Sequence, residues 1–336
     1  MTNVKLLTVR LVALVFCTVL VTAGHAPQAM PRAAAIDPGD IHTHDPSMIM
    51  QGHTYYVFST GSGLEIRTST NLTTWRYVGT VFTTIPSWVT AAVGPITDLW
   101  APDISYWNGL YHLYYAGSQF GSNTSVIGLA TNTTLDPSSP RYRWVDRGLV
   151  IRSTAADNWN AIDPNLVLDT AHNPWLVFGS FWSGIKLHRL DARTGKPART
   201  DTTLYPLAYR PGSNAIEAPV IVHRTRYYYL FVSFDFCCRG ARSTYRIMVG
   251  RATRVTGPYV DRQGSRMDQG AAAQVLAGYG RYRGPGGQSM FMDGPTYLLV
   301  YHYYDALDGG TFKLQIRPLR WTTDGWPLAG TPYVSP

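Results

Sequence analysis

Apolar residues in this chain come in short runs, and the runs come in pairs. Met48-Ile49-Met50 is followed, across Gly52-His53, by Tyr55 to Phe58. Ile104-Ser105-Tyr106 is followed by Tyr111 to Tyr115, Leu166-Val167-Leu168 by Trp175 to Phe178, and Val220-Ile221-Val222 by Tyr227 to Phe231. A degenerate fifth pair is Gly287 to Phe291 with Tyr297 to Tyr301. Runs this short, rich in aromatic and β-branched residues and punctuated by Gly, Asn and Pro, predict strands. The first copy resolves into four: Met48–Met50, Tyr55–Ser59, Glu65–Ser69 and an outer Trp75–Val81. Its turn at Asn71 to Trp75 has a counterpart at Asn132 to Trp144. Four strands per unit, recurring at roughly 55 to 70 residues, predict an all-β, five-bladed β-propeller. A kelch-like repeat length fits, but the kelch glycine pair is missing.

The entry to each innermost run carries the chemistry. Asp45 precedes Pro46, Asp163 precedes Pro164, and Glu217 lies just ahead of Ala218-Pro219. Proline at a strand's first residue is tolerated because its missing donor falls outside the ladder. Residues entering innermost strands face the propeller axis, so Asp45, Asp163 and Glu217 should converge on one funnel. Asp before Pro is also an ordinary turn signal. Three acids at corresponding points of a repeat make that plain reading insufficient.

Length and composition narrow the partners. The chain has 336 residues and a formal net charge of +8. Its basic residues are scattered, with no aromatic-laced Lys/Arg run, so no nucleic acid is expected. Residues 1–34 read as a secretory signal and short leader. Lys5 and Arg10 precede an apolar Leu11–Ala23, and Gly24-His25-Ala26 or Ala33–Ala35 offer cleavage. The alternative is an uncleaved anchor. The propeller domain is assigned to 35–336 and the protein to the extracellular space, as a monomer with no membrane contact after cleavage. Cys17 falls in the leader, leaving adjacent Cys237 and Cys238, either a vicinal disulfide or two buried thiols. Asn71, Asn123 and Asn132 open Asn-x-Ser/Thr sequons.

Converging carboxylates without a His/Cys cluster point to glycoside hydrolysis. That reaction needs one acid for the leaving oxygen and one carboxylate acting at the sugar. A third can raise the acid's pKa by like-charge repulsion. Trp100, Trp159, Phe181 and Trp182 are candidates to stack on sugar rings, with packing between blades as the alternative.

Six motifs in order carry a family resemblance: His44-Asp45-Pro46-Ser47, Leu99-Trp100-Ala101-Pro102-Asp103, Asn160-Ala161-Ile162-Asp163-Pro164, Ser180-Phe181-Trp182-Ser183-Gly184, Ala215-Ile216-Glu217-Ala218-Pro219 and Phe236-Cys237-Cys238-Arg239-Gly240. From about Ile41 onward the chain resembles glycoside hydrolase family 43, in particular its arabinan endo-1,5-α-L-arabinosidases. The resemblance implies a five-bladed propeller that cuts arabinan, a pectin side chain, with inversion. It implies Asp45 as general base, Glu217 as general acid and Asp163 as the group that tunes and orients Glu217. Base and acid should then stand roughly 6.5 to 9.5 Å apart, with the water between them. It implies substrate contacts from Asp45, Gly121 (with Gly117 close by), Asn160, Ala161, Ile162, Asp163, Ser180, Phe181 and Trp182.

One position departs from the pattern. Family members place a histidine that ligates an axial calcium in Gly-Pro-Gly-His-Asn-Ser, where this chain has Gly284-Pro285-Gly286-Gly287-Gln288-Ser289. Gly287 offers no ligand, so no metal ligand is assigned and no cofactor is expected to be required. Gln288 or His302 are the substitutes at hand. Two other functions stay open: an exo-acting α-L-arabinofuranosidase or β-xylosidase on the same fold, and a non-catalytic sugar-binding propeller.

Overall fold

The computed structural model describes residues 1–2 and 38–333. The expected leader, with Cys17 and its cleavage places, lies outside the described residues apart from its first two. Among the described residues, twenty strands form five sheets of four, each built from consecutive antiparallel strands. Blade 1 holds β1 (Ser47–Gln51), β2 (Thr54–Ser59), β3 (Glu65–Ser69) and β4 (Arg76–Thr80). A short helix α1 (Ser87–Val93) leads to blade 2, with β5 (Trp100–Trp107), β6 (Leu110–Gly117), β7 (Ser125–Asn132) and β8 (Val145–Ser153). Blade 3 holds β9 (Asn165–Leu168), β10 (Pro174–Phe178), β11 (Ile185–Arg189) and β12 (Tyr205–Ala208). Blade 4 holds β13 (Ile216–Arg224), β14 (Tyr227–Phe234), β15 (Arg246–Ala252) and β16 (Ala273–Ala277). Blade 5 holds β17 (Tyr282–Asp293), β18 (Thr296–Asp305), β19 (Thr311–Trp321) and β20 (Pro327–Ala329). The inner strands touch in the order β1, β5, β9, β13, β17 and back to β1, which closes the ring. The five-bladed propeller expected from the repeat is the observed fold.

The second strand of each blade explains the unbroken aromatic runs. Period 2 sends alternate residues to opposite faces, and here both faces are buried. From β14, Tyr228, Leu230, Val232 and Phe234 pack toward blade 3, while Tyr229 and Phe231 pack toward blade 5. From β2, Tyr56 and Phe58 face blade 2 and Val57 faces blade 5. A strand buried on both faces reads as continuous hydrophobicity. Each such side chain contributes about 1.5 to 3 kcal/mol on burial. The seam between blades 5 and 1 joins Leu298, Val300, Leu314 and Ile316 to Ile41, Met48, Val57 and Trp75.

The prolines sit differently from the simplest expectation. Pro46 and Pro164 immediately precede β1 and β9. Pro102 and Pro219 lie inside β5 and β13, at register shifts between Trp100 and Asp103 and between Glu217 and Val220. There a bulge absorbs the missing donor, and the inner strand runs on toward the cleft past the proline. At the crossing point all five blades repeat one backbone conformation. Asp45, Ala101, Asp163, Ala218 and Gly287 have φ of 47°, 42°, 57°, 51° and 55°. These five left-handed residues ring a cavity of about 30 Å³ on the axis.

Candidate active site

Above that ring opens a cleft of about 840 Å³. Asp45, Asp163 and Glu217 all line it, although they come from blades 1, 3 and 4. Asp45 and Asp163 occupy corresponding left-handed positions, whereas Glu217 stands one residue earlier in its blade, where blade 1 has His44.

Asp45 is held from three sides. Its N–H donates to His302 Nδ1 (3.0 Å), and its Oδ2 accepts from the Thr60 hydroxyl (2.8 Å) and pairs with His44 Nδ1 (2.8 Å). Burial pushes its carboxyl up, but the charge and hydrogen bond of His44, with His302 and Thr60, outweigh that and hold it at about 2. Asp45 is therefore a carboxylate at any ordinary pH. His302 is wholly buried, and burial together with His44 holds it neutral.

Glu217 has the opposite character. Burial and the negative charge of Asp45 push it up to about 7, against the Ser180 hydroxyl, which donates to Oε2 at 2.5 Å. The Tyr245 hydroxyl donates to Oε1. Asp163 accepts the Ala218 N–H (2.9 Å), and burial, then Glu217, then Asp45 raise it well above the usual carboxylate range. Burial first, and for Asp163 the neighbouring Glu217 second, keep a proton on this pair of carboxyl groups. The site thus sets an ionised carboxylate opposite a protonated acid.

The cleft walls gather most of the expected contacts. Gly121, Asn160, Ile162, Ser180, Phe181, Trp182 and Trp100 line it. Gly117 is buried inside β6, so Gly121 is the glycine at the cleft. Two expectations need correction. Ala161 is fully buried between blades 2 and 3, its N–H donating to Ser153 Oγ, and does not line the cleft. Trp159 packs edge-on against Phe178 and is a blade seam, not a stacking platform. Sequence reasoning missed Phe120, 83% exposed at the rim, along with Phe236, Thr60 and Tyr245. Phe120 carried a signal, a large apolar residue in the polar loop Ser118–Ser122. Tyr245, one aromatic among many, carried none.

A calcium ion takes six to eight oxygen ligands. His44, Asp45 and His302 bring one ligand atom each to within 4.8 Å of one another. Two are imidazoles, a donor set suited to other metals, and His44 uses both nitrogens and His302 its Nδ1 in hydrogen bonds. Gln288 donates to Ala218 O and accepts from Ser233 Oγ. A Cβ on residue 287 would meet Asp45 Oδ1 at 2.3 Å. The residues present do not fit a histidine-ligated axial calcium. Cys237 and Cys238 form a vicinal disulfide on the cleft wall.

A family model described as glycosyl hydrolases family 43 matches residues 39–327. The extracellular endo-alpha-(1→5)-L-arabinanase 1 of Bacillus subtilis (strain 168) is 47% identical over 290 residues, covering 84% of this chain and 86% of its own. The extracellular exo-alpha-(1→5)-L-arabinofuranosidase of Cellvibrio japonicus (strain Ueda107) is 44% identical over 300 residues, covering 85% and 86%. The solved structure of a Cellvibrio cellulosa alpha-L-arabinanase complexed with arabinohexaose superposes with a TM-score of 0.84 at 42% identity, covering 86% of this chain and 95% of that one.

Proposed function

The chain belongs to glycosyl hydrolase family 43, and from that membership we propose that it is a secreted endo-arabinanase that cuts α-1,5-linked arabinan with inversion. The observation that carries this is the opposed protonation of two carboxyl groups in one cleft: Asp45 held at about 2 and Glu217 raised to about 7. In this reading a water on the Asp45 side attacks the anomeric carbon. Asp45 takes the water's proton as the new C–O bond forms. Glu217 gives its proton to the departing glycosidic oxygen as the old bond breaks. Asp163, a second buried carboxyl beside Glu217, keeps the acid protonated and oriented. Trp100, Phe120, Phe181 and Trp182 offer flat apolar faces for sugar rings. A cleft of about 840 Å³ suits several pentose units better than one terminal sugar, which favours cutting within the chain. The extracellular relatives support export.

The test is a product profile on linear, debranched arabinan, with Asp45→Ala alongside. Early short oligosaccharides and a sharp fall in viscosity, absent from the variant, are expected. The relative named as an exo enzyme makes the second outcome concrete: arabinose as sole early product would assign exo action on the same site. No cleavage of arabinan or xylan would leave a sugar-binding propeller. Inversion is read from the anomeric proton signals of the first product formed.

A further inference from the structure

His44 is absorbed by neither role above, yet it touches the carboxylate on which the mechanism turns. Its Nδ1 lies 2.8 Å from Asp45 Oδ2 and its Nε2 lies 2.8 Å from the Tyr304 hydroxyl. The same hydroxyl accepts the N–H of Cys238 at 2.8 Å. The partners fix two of the protons, Cys238 N–H on Tyr304 Oη and His44 Nδ1–H on Asp45 Oδ2, and a further proton lies between Tyr304 Oη and His44 Nε2. The His44 ring is gripped sideways as well, stacked on His302 with centroids 3.8 Å apart and meeting the edge of Phe312 at 5.1 Å.

The far end of the chain is covalently fixed. Cys238 has φ of 62°, and its disulfide to Cys237 ties the two residues that flank the donating peptide group. Cys238 is exposed at the rim, so a reductant can reach it. We propose that His44 and Tyr304 are positioning residues for the Asp45 carboxylate, and that the closed Cys237–Cys238 ring anchors them, so that turnover depends on the ring staying closed. This rests on the reading of Asp45 as the base. Reduction by dithiothreitol delivers two electrons and two protons: the S–S bond breaks, two thiols form and the reagent closes its own disulfide. The Cys238 N–H is then free to turn from Tyr304, and His44 loses its fixed partner.

The test compares the oxidised wild type with Tyr304→Phe, His44→Ala and dithiothreitol-treated wild type on debranched arabinan. Tyr304→Phe should lower kcat about tenfold with KM nearly unchanged, since a small misplacement of a catalytic group costs rate more than binding. Dithiothreitol should bring the wild type to a similar level and add little to Tyr304→Phe, because the two act on one chain. His44→Ala should move the acid limb of kcat/KM to higher pH, a readout that a packing defect would leave in place. The other groups facing Asp45 are His302 and Thr60, with Glu217 and Asp163 across the cleft, and all stay intact in these variants. If Tyr304→Phe and the reduced wild type both turn over within about twofold of the oxidised wild type, the positioning chain is wrong. Asp45→Asn separates the two ideas. If it keeps wild-type turnover, the base assignment has failed. If it is inactive while Tyr304→Phe is unimpaired, only the chain has.

Discussion

Gly287 is the position where one added carbon should do the most damage. It is left-handed, with φ of 55°. A Cβ there would lie 2.3 Å from Asp45 Oδ1, 2.6 Å from His302 Cε1 and 2.8 Å from His302 Nδ1. Comfortable contacts begin near 3.5 Å, so something must retreat by roughly 1 Å. His302 has nowhere to go, being wholly buried with Nδ1 committed to the Asp45 N–H. The Asp45 carboxylate therefore moves, and a displacement of about 1 Å costs on the order of 10²-fold in rate. Forcing alanine into the left-handed region adds about 1 to 2 kcal/mol of destabilisation. Gly287→Ala should thus lose about 10²-fold in kcat and unfold a few degrees lower. Gly109→Ala is the control: its φ is 78° and nothing lies within 4 Å of the new Cβ. It should show the same backbone cost with normal kcat. The assay is sugar release from debranched arabinan beside thermal unfolding of both variants. A Gly287→Ala enzyme with wild-type kcat would refute the placement of the base. Gly287→His carries the same Cβ and should fail for the same reason.

Three further outcomes follow from the same geometry. Glu217→Gln should lower kcat by about 10² to 10⁴ while binding of arabino-oligosaccharide persists in calorimetry. Glu217 works protonated and sits at about 7, so kcat/KM should fall as pH rises through that value; Ser180→Ala removes a hydrogen bond that favours the ionised form and should shift this limb upward, and an unmoved limb would exclude Glu217 as the acid. Asp305, wholly buried, accepts Arg281 Nε (2.9 Å) and Lys313 Nζ (3.0 Å). Burial raises its carboxyl, but those cations outweigh it and hold it at about 2. Its folded pKa lies below the unfolded value, so its contribution, about 2 kcal/mol, is present above pH ~4 and fades as pH falls toward 2. Asp305→Asn should flatten that part of the stability curve, measured by denaturant unfolding at a series of pH values.

The repeat was legible because a blade is a local unit. Its second strand is buried on both faces and therefore reads as an unbroken apolar run, as at Tyr227–Phe234. The acids were legible because each sits beside the proline that opens its inner run, Asp45 and Asp163 immediately before it and Glu217 one residue earlier. What escaped depends on contacts between distant residues or on loops without a period. His44 meets Tyr304 across 260 positions of sequence, and nothing near either one announces the other. Ala161 and Trp159 lie in the loop before β9, where no alternation says which side chain faces the cleft. The bulges that carry β5 and β13 past their prolines are register events between two strands, invisible in either strand alone.

The axial ring shows why the site and the fold cannot be separated. A residue before proline is normally pushed to extended backbone, and a left-handed non-glycine residue costs of order 1 to 3 kcal/mol. Four blades bear that cost, at Asp45, Ala101, Asp163 and Ala218. At three of them, and at Gly287, the offset is visible in where the amide goes. The Ala101 N–H donates to Thr60, Ala218 to Asp163, Gly287 to Ser233 and Asp45 to His302. In each case the acceptor side chain belongs to the preceding blade. The seams are thus closed by the same groups that shape the cleft, and Asp163 is seam and site at once. The two duties come apart by substitution. Asp163→Asn keeps an oxygen for the Ala218 N–H and removes the second ionisable carboxyl of the pair, so stability should hold while the pH limb assigned to Glu217 moves down. Asp163→Ala strands a buried N–H, which costs about 1 to 3 kcal/mol, so stability and turnover should fall together. If both variants unfold like the wild type, the ring is not held by these captured amides, and the strain at Ala218 must be balanced elsewhere.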